Sequence, residues 1–247
     1  MAARTRRYGR RGRGGVRFLL FMVMLCAVAW LIKSRVFILK EIVVQGNEVY
    51  SDEEIVALSG LTLGEDTLKI EKSRIQGNFS RNCYVELIEM DILYPDRVLL
   101  TIRERRPCAV VNCAGVMLVI DSEGVILERM TGSPSDDLIT VSMNASLSTQ
   151  GHSVESTKAG ELETMTLILE GLEAQGMTEL IAEINVRDRF NIYMISRTGV
   201  QIMLGEKDDM DDKLLLTRLV LEKLTNEGIT RGVLDVSTGQ NAVYADR

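Results

Sequence analysis

The chain has 247 residues, 46% hydrophobic and 26% charged, with twenty glycines and three prolines. That is enough apolar material for one or two folded domains, and it excludes a collagen-like, proline-rich or wholly disordered chain. The net charge of −6 hides an asymmetry: residues 1–17 carry seven arginines and no acid, so the remainder holds −13. An acidic body behind a short basic head is not the footprint of a duplex-DNA reader, and no nucleic-acid partner is expected.

From the N-terminus, residues 1–17 read as a basic cytoplasmic tail. Phe18 to Ile32 is a run of 15 residues without a charge. At ~1.5 Å per residue it covers ~23 Å, somewhat less than a ~30 Å hydrocarbon core. Arg17, Lys33 and Arg35 can snorkel, and Val36 to Leu39 continue the apolar character, so a transmembrane helix is expected over 18–36. Ala27-Val28-Ala29 resembles a signal-peptide cleavage site, which is the competing reading. The run continuing through Trp30-Leu31-Ile32 favours a retained anchor, and the arginine bias places the N-terminus in the cytoplasm. Either reading exports the bulk of the chain.

Residues 37–105 read as β-α-α-β-β. Ile38 to Gln45 is a strand closed by Gly46-Asn47. Ser51-Asp52-Glu53-Glu54 is a capping box, and Ile55 and Leu58 form a short apolar stripe stopped by Gly60. A second short helix is expected over 70–80, with Ile75 and Phe79 on one face. Val85–Leu93 and Arg97–Glu104 form a hairpin around Tyr94-Pro95-Asp96.

Beyond Pro107 the pattern changes. Cys108–Val111, Val116–Ile120 and Val125–Leu127 are short strands. Residues 131–157, rich in Ser, Thr, Asp and Gly, read as a long surface loop with a short embedded apolar segment. A helix follows over 157–175, carrying Leu162, Met165, Leu169 and Leu172 and stopped by Gly176. Asn191–Ser196 and Val200–Leu204 flank Arg197-Thr198-Gly199 as a hairpin. A helix over 209–226 begins among four aspartates and ends at Gly228. Val233–Val236 and Ala242–Tyr244 make the last strand pair.

The chemistry-bearing residues form no constellation, and neither a catalytic residue, a metal site nor a cofactor is expected. Asp208-Asp209-Met210-Asp211-Asp212 lacks the central glycine and closing glutamate of a calcium loop and reads as a solvated helix start. One histidine, His152, rules out sites built on two and lies in a polar loop. Of the four cysteines none forms a C-x-x-C pair; Cys108 and Cys113 would sit ~16 Å apart on one extended strand, too far to bridge. Cys26 lies in the apolar run, and the other three read as small core residues. Arg103-Glu104-Arg105-Arg106 reads as a solvated strand edge and domain junction.

The order of these parts resembles the FtsQ/DivIB family of bacterial division proteins. Phe37 to Asn47 looks like the first strand of a POTRA domain ending in V-x-G-N, and Gly60-Leu61-Thr62-Leu63-Gly64 like its helix-connecting turn. Ile102-Arg103-Glu104-Arg105-Arg106-Pro107 is similar to the stretch that closes that domain. Leu118-Val119-Ile120-Asp121-Ser122-Glu123-Gly124-Val125 resembles the family's L-V-D-x-x-G-V hairpin, and Thr198-Gly199-Val200 to Leu204-Gly205 with Lys213 its G-x-x-V-x-L-G…K pattern. The family's P-V-L-x-G is missing around Asp137 to Thr140.

The resemblance implies an α+β protein: a single transmembrane helix, a POTRA domain at 37–106 and a β domain of antiparallel sheet with helices at 107–247. It implies a non-enzymatic divisome scaffold in the cell membrane at the division septum. Such a scaffold binds FtsL- and FtsB/DivIC-like bitopic proteins, touches membrane lipid and links to FtsW/FtsI-like septal peptidoglycan synthases. Capture of FtsB by β-augmentation is implied at a C-terminal strand including Val236, Ser237, Thr238, Ala242, Val243 and Tyr244. Two other readings stay open. One is an anchored or secreted cell-wall hydrolase using Glu104, Asp121 or Asp235. The other is a POTRA protein of secretion or barrel assembly.

Overall fold

A computed structural model describes residues 13–132 and 135–246, without the side chains of residues 13–16, 29 and 31–35. The expected basic tail therefore lies largely outside the described residues. The chain begins with α1 (Arg13–Val36), 24 residues long. Its described side chains from Phe18 to Val28, and Trp30, are exposed. Among the described residues, no helix is long and apolar enough to cross a membrane.

The chain divides into two compact units, 1–78 with 87–102, and 79–86 with 103–247. The first holds β1 (Glu41–Gln45), α2 (Asp52–Ser59), α3 (Lys72–Phe79), β2 (Val85–Leu93) and β3 (Arg97–Glu104), the last three crossing its borders. The β-α-α-β-β order matches the pattern in the residues. The strand order is β1-β3-β2, with β1 parallel to β3 from Glu41 opposite Arg97 to Gln45 opposite Thr101. The first strand starts three residues later than expected, because Ile38 makes only an isolated bridge to Asp66. Ser51 caps α2 as the capping box requires: its hydroxyl accepts from the Glu54 amide at 3.3 Å, and the Glu54 carboxylate accepts from the Ser51 amide at 2.9 Å. These bonds hold the Glu54 carboxyl below the usual range. Gly60 then ends α2 in the left-handed conformation. Asn78 Nδ2 donates to the Ser59 carbonyl at 2.9 Å and ties α3 to the end of α2. Val98, Leu100 and Ile102 alternate inward along β3 and are buried.

The second unit is a nine-stranded sheet. Its strands are β4 (Ala109–Cys113), β5 (Val116–Ile120), β6 (Ile126–Met130), β7 (Ile139–Ser142), β10 (Ile181–Asn185), β11 (Ile192–Ser196), β12 (Val200–Gly205), β13 (Gly232–Asp235) and β14 (Val243–Ala245). A separate two-residue pair, β8 (Ala145–Ser146) and β9 (Glu155–Ser156), lies between β7 and the helix α4 (Glu161–Ala174). The remaining helix is α5 (Met210–Asn226). The sheet order is β14-β13-β12-β11-β10-β7-β4-β5-β6. Met165, Ile168, Leu169 and Leu172 of α4, with Met210, Leu214, Leu221 and Leu224 of α5, join the inward residues of these strands in one core. A side chain at Gly171 would collide with Leu214, so this glycine sets how closely the two helices approach.

Two expectations are corrected here. The sheet is mixed rather than antiparallel: β7 runs parallel to both β4 and β10, and β12 parallel to β13. Residues 131–157 are not simply a surface loop, because β7 sits in the middle of the sheet with Ile139 and Val141 buried. Ile-Thr-Val-Ser alternates with the two-residue period of a strand, but only over four positions, and serine-rich flanks mask it. Strand β10 was not anticipated either. Its Ile-Ala-Glu-Ile-Asn follows the helix with little punctuation beyond Gly176 and a 3-10 turn at Thr178–Leu180.

Gly46, in the V-x-G-N stretch, has φ +92°, and a Cβ there would sit well inside contact distance of the Ile102 carbonyl oxygen. Gly46→Ala is therefore expected to destabilise the first unit by about 2 kcal/mol or more, beyond the ~1 kcal/mol of ordinary left-handed strain. Urea unfolding followed by circular dichroism checks this.

Candidate partner-binding edge

A sheet has two margins, and this one treats them differently. At the β6 margin the chain covers its own backbone. The Ile126 amide donates to the His152 carbonyl at 2.9 Å, and the Gly151 amide to the Ile126 carbonyl at 2.8 Å. Gln150 Nε2 donates to the Leu127 carbonyl at 2.6 Å, and Val125 bridges Ser153. His152 itself is exposed, as its polar surroundings predict. At the other margin stands β14, whose one strand neighbour among the described residues is β13. Its pairs are Val233 with Ala245, Leu234 with Tyr244 and Asp235 with Val243.

The six residues singled out in the sequence do not share one strand. Val236 is buried just beyond β13, and its amide donates to the Met203 carbonyl at 3.0 Å. Ser237 and Thr238 form the following turn. The Ser237 amide donates to Asp235 Oδ1 at 2.9 Å, and the amides of Gln240 and Asn241 point at Thr238 Oγ1 at 3.4 Å. Ser237 passes close over Gly205, whose φ of +69° and bare Cα leave it room. Ala242 is half-buried against the core. Only Val243 and Tyr244 lie on β14.

Those two face opposite sides. Tyr244 pairs with the core residue Leu234 and packs against the core. Its hydroxyl donates to the Arg231 carbonyl, and its ring lies over Gly232, where a Cβ would come within 2.7 Å of Cε2. Gly232 has φ +133°, so this site suits glycine twice over. Arg231 and Gly232 went unnoticed in the sequence. A glycine opening a strand was the one available signal. Val243 is 63% exposed and belongs to the opposite face. The geometry can offer a bare strand margin with an apolar side chain beside it, held in place from behind by Tyr244.

A second cluster corrects the reading of a solvated edge at Arg105, while Arg103 and Arg106 are exposed as expected. The Arg105 side chain is only 12% exposed and lies 2.5 Å from Asp121, 2.8 Å from Glu86 and 3.0 Å from Glu123. Arg103 also reaches Glu86 and Glu123. Asp121 accepts the Val125 amide at 2.7 Å, so this network ties the end of β3 to the β5–β6 turn. Burial opposes the Glu123 charge, but bonds from Arg105 and Arg103 outweigh it and hold its carboxyl below the usual range. Burial pushes the neighbouring Cys108 thiol up to about 12, with Asp121 and Glu173 adding to the effect.

Of the acids considered for hydrolysis, Asp121 is engaged by Arg105 and Asp235 caps a turn. The aspartates before α5 include Asp209, whose backbone adopts a left-handed conformation at the helix N-cap. Among the described residues, no group of three His, Cys, Asp or Glu side chains could hold a metal ion. Cys113 is buried, Cys83 and Cys108 are half-buried, and Cys26 is exposed on α1.

Residues 37–105 match the family model of the POTRA domain, FtsQ-type. Cell division protein FtsQ of Corynebacterium glutamicum is 23% identical over 206 residues, covering 82% of this chain and 87% of its own length. FtsQ of Anaeromyxobacter sp. strain K is 25% identical over 218 residues, covering 84% of this chain and 69% of its own. Cell division protein DivIB of Clostridium acetobutylicum is 21% identical over 234 residues, covering 91% and 87%.

Removing the Tyr244 hydroxyl deletes one hydrogen bond behind β14, worth about 1 kcal/mol. Tyr244→Phe is expected to raise amide hydrogen exchange at 243–245 several-fold while β11 and β12 stay protected. The charge network should also show in acid. Glu123 has a depressed folded pKa, so its contribution is present above the ordinary glutamate value and is lost as pH falls through the lower folded value. Arg105→Met is expected to cost ~2–3 kcal/mol at pH 7, because Asp121 stays buried without its cation. It should also flatten the loss of stability below about pH 4.3; thermal unfolding from pH 3 to 7 measures both.

Proposed function

Because the chain belongs to the FtsQ/DivIB family of bacterial cell-division proteins, we propose that it is a non-enzymatic scaffold of the divisome, capturing a partner chain on the open margin of its second unit. The partners are FtsL- and FtsB/DivIC-like bitopic proteins, and through them the scaffold couples to FtsW/FtsI-like septal peptidoglycan synthases. The observation that carries this reading is the contrast between the margins: residues 150–152 cover Ile126 and Leu127 at the start of β6, whereas β14 has β13 alone among the described strands. A partner strand laid along β14 would find backbone donors and acceptors there and an exposed Val243 beside them. The POTRA domain, 37–106, serves recruitment, and residues 107–247 form the capturing domain.

We place the scaffold in the cell membrane at the division septum, with α1 as its anchor. The 24 residues of α1 measure ~36 Å, of which the charge-free run supplies ~23 Å, and the flanking Arg17, Lys33 and Arg35 can reach the headgroups beyond it. Support comes from the charge-free run Phe18–Ile32 and from the exposure of Phe18, Phe21, Leu25 and Trp30, which in water would be unfavourable. The arginines before the run put the N-terminus in the cytoplasm and both units outside.

Val243→Pro and Ala245→Pro each delete an amide that faces β13 and so loosen β14, and Val243→Lys places a charge at the margin. Tyr244→Lys is a poorer probe, since it also removes the pin on Arg231. With the full chain co-reconstituted beside an FtsL–FtsB/DivIC-like pair, at least one proline variant and Val243→Lys should weaken capture tenfold or more, about 1.4 kcal/mol. Binding at the unmodified level in all three, with β13 still protected from exchange, would remove the edge-strand site.

A further inference from the structure

Three segments of the first unit converge where the chain leaves α1. The Phe37 carbonyl accepts from the Thr67 amide at 3.0 Å, and Ile38 bridges Asp66. The Leu39 amide donates to the Glu65 carbonyl, and the Gly64 amide to the Leu39 carbonyl, both at 2.8 Å. From the hairpin turn, the Pro95 carbonyl accepts from Thr67 Oγ1 at 2.7 Å, and the Asp96 carbonyl from the Lys40 amide at 2.8 Å. The Phe37 and Tyr94 rings meet edge to face, 6.3 Å between centroids. Residues 63–68 and 93–96 are thus fixed to the four residues after Val36, the last of α1. The parallel register of β1 and β3 puts this cluster at one end of the unit and Gly46 with Ile102 at the other.

This end carries apolar side chains that the chain leaves uncovered. Leu63 is 66% exposed, Tyr94 58%, Leu93 48% and Leu68 44%. Lys40 and Lys69 stand exposed among them, paired with Asp96 at 2.8 Å and Asp66 at 3.9 Å. Aliphatic side chains, a tyrosine with a polar tip and lysines on flexible stems are the composition that settles at a lipid headgroup–acyl boundary.

We propose that this end of the POTRA unit is a lipid-docking surface, with Leu63, Leu68, Leu93 and Tyr94 entering the outer leaflet around the emerging α1. The occupant follows from continuity along the chain: the described exposed apolar side chains of α1 include Trp30 and Val36, and Phe37, packed against the exposed Tyr94, follows directly. Lys40 and Lys69 would share their charge between Asp96 and Asp66 and the lipid phosphates. The inference rests on the reading of α1 as a membrane anchor, and it adds that the first unit lies against the bilayer.

Full-length protein is reconstituted into phosphatidylethanolamine–phosphatidylglycerol vesicles with brominated acyl chains, which quench tryptophan at short range. Trp30, the only native tryptophan, reports first on α1. In a Trp30→Phe background, tryptophan is then introduced by Leu63→Trp, by Leu68→Trp and, as a control beyond the far end of β1, by Val49→Trp. The first two should be quenched at least twofold more than the control. If Trp30 is quenched but Leu63→Trp and Leu68→Trp match Val49→Trp, the docking surface is wrong and the anchor stands. If Trp30 itself is unquenched, the anchor reading fails and the docking surface with it. Protection of both positions from aqueous acrylamide without bromolipid quenching would point to a protein partner and overturn the lipid assignment.

Discussion

A backbone amide taken from water must find an acceptor, and a sheet meets that demand everywhere except at its two margins. The arrangement of the second unit follows from how each margin is handled. At the start of β6, residues 150–152 fold back and supply amide donors and a carbonyl of the same chain. At β14 the strand is only three residues long and is held from behind, by Tyr244 over Gly232 and onto the Arg231 carbonyl. A short pinned strand limits promiscuous pairing while leaving its outer backbone groups facing outward.

Much of this architecture is legible in the residues because local signals and packing agree. The capping box at Ser51 and Glu54, the stop at Gly60 and the alternation of Val98, Leu100 and Ile102 are each local rules that the structure obeys. The order of motifs likewise pointed to the family before any geometry. What stayed hidden depends on distance in the chain. The four residues of β7 look like loop until β4 and β10 flank them. Their parallel pairing is invisible to a pattern that reads neighbours only.

The candidate site divides along the same line. Position near the last strand identified Val243 and Tyr244, but alternation had to be seen in register to separate the exposed residue from the pin. Val236 follows β13 and Ser237 to Asn241 turn on their own side-chain and backbone bonds, so of the six residues only Val243 and Tyr244 lie on β14. Arg105 shows the opposite error. In a run of alternating charge it looks solvated, yet Asp121, sixteen residues later, draws it inward. A buried ion pair contributes little net stability but penalises any arrangement that separates it, so it fixes the β5–β6 turn against the end of β3.

The position of β7 has a consequence for how the polypeptide matures. Parallel neighbours on both sides mean that no tight hairpin can deliver this strand. It must wait for residues 183–185, some forty positions downstream, before its second ladder forms. Chain emerging N-terminus first would therefore hold Ile139 and Val141 incompletely covered for part of its synthesis. Non-local pairing of this kind slows folding and prolongs exposure to aggregation. The sheet of the second unit is thus the part of the fold that closes late during synthesis.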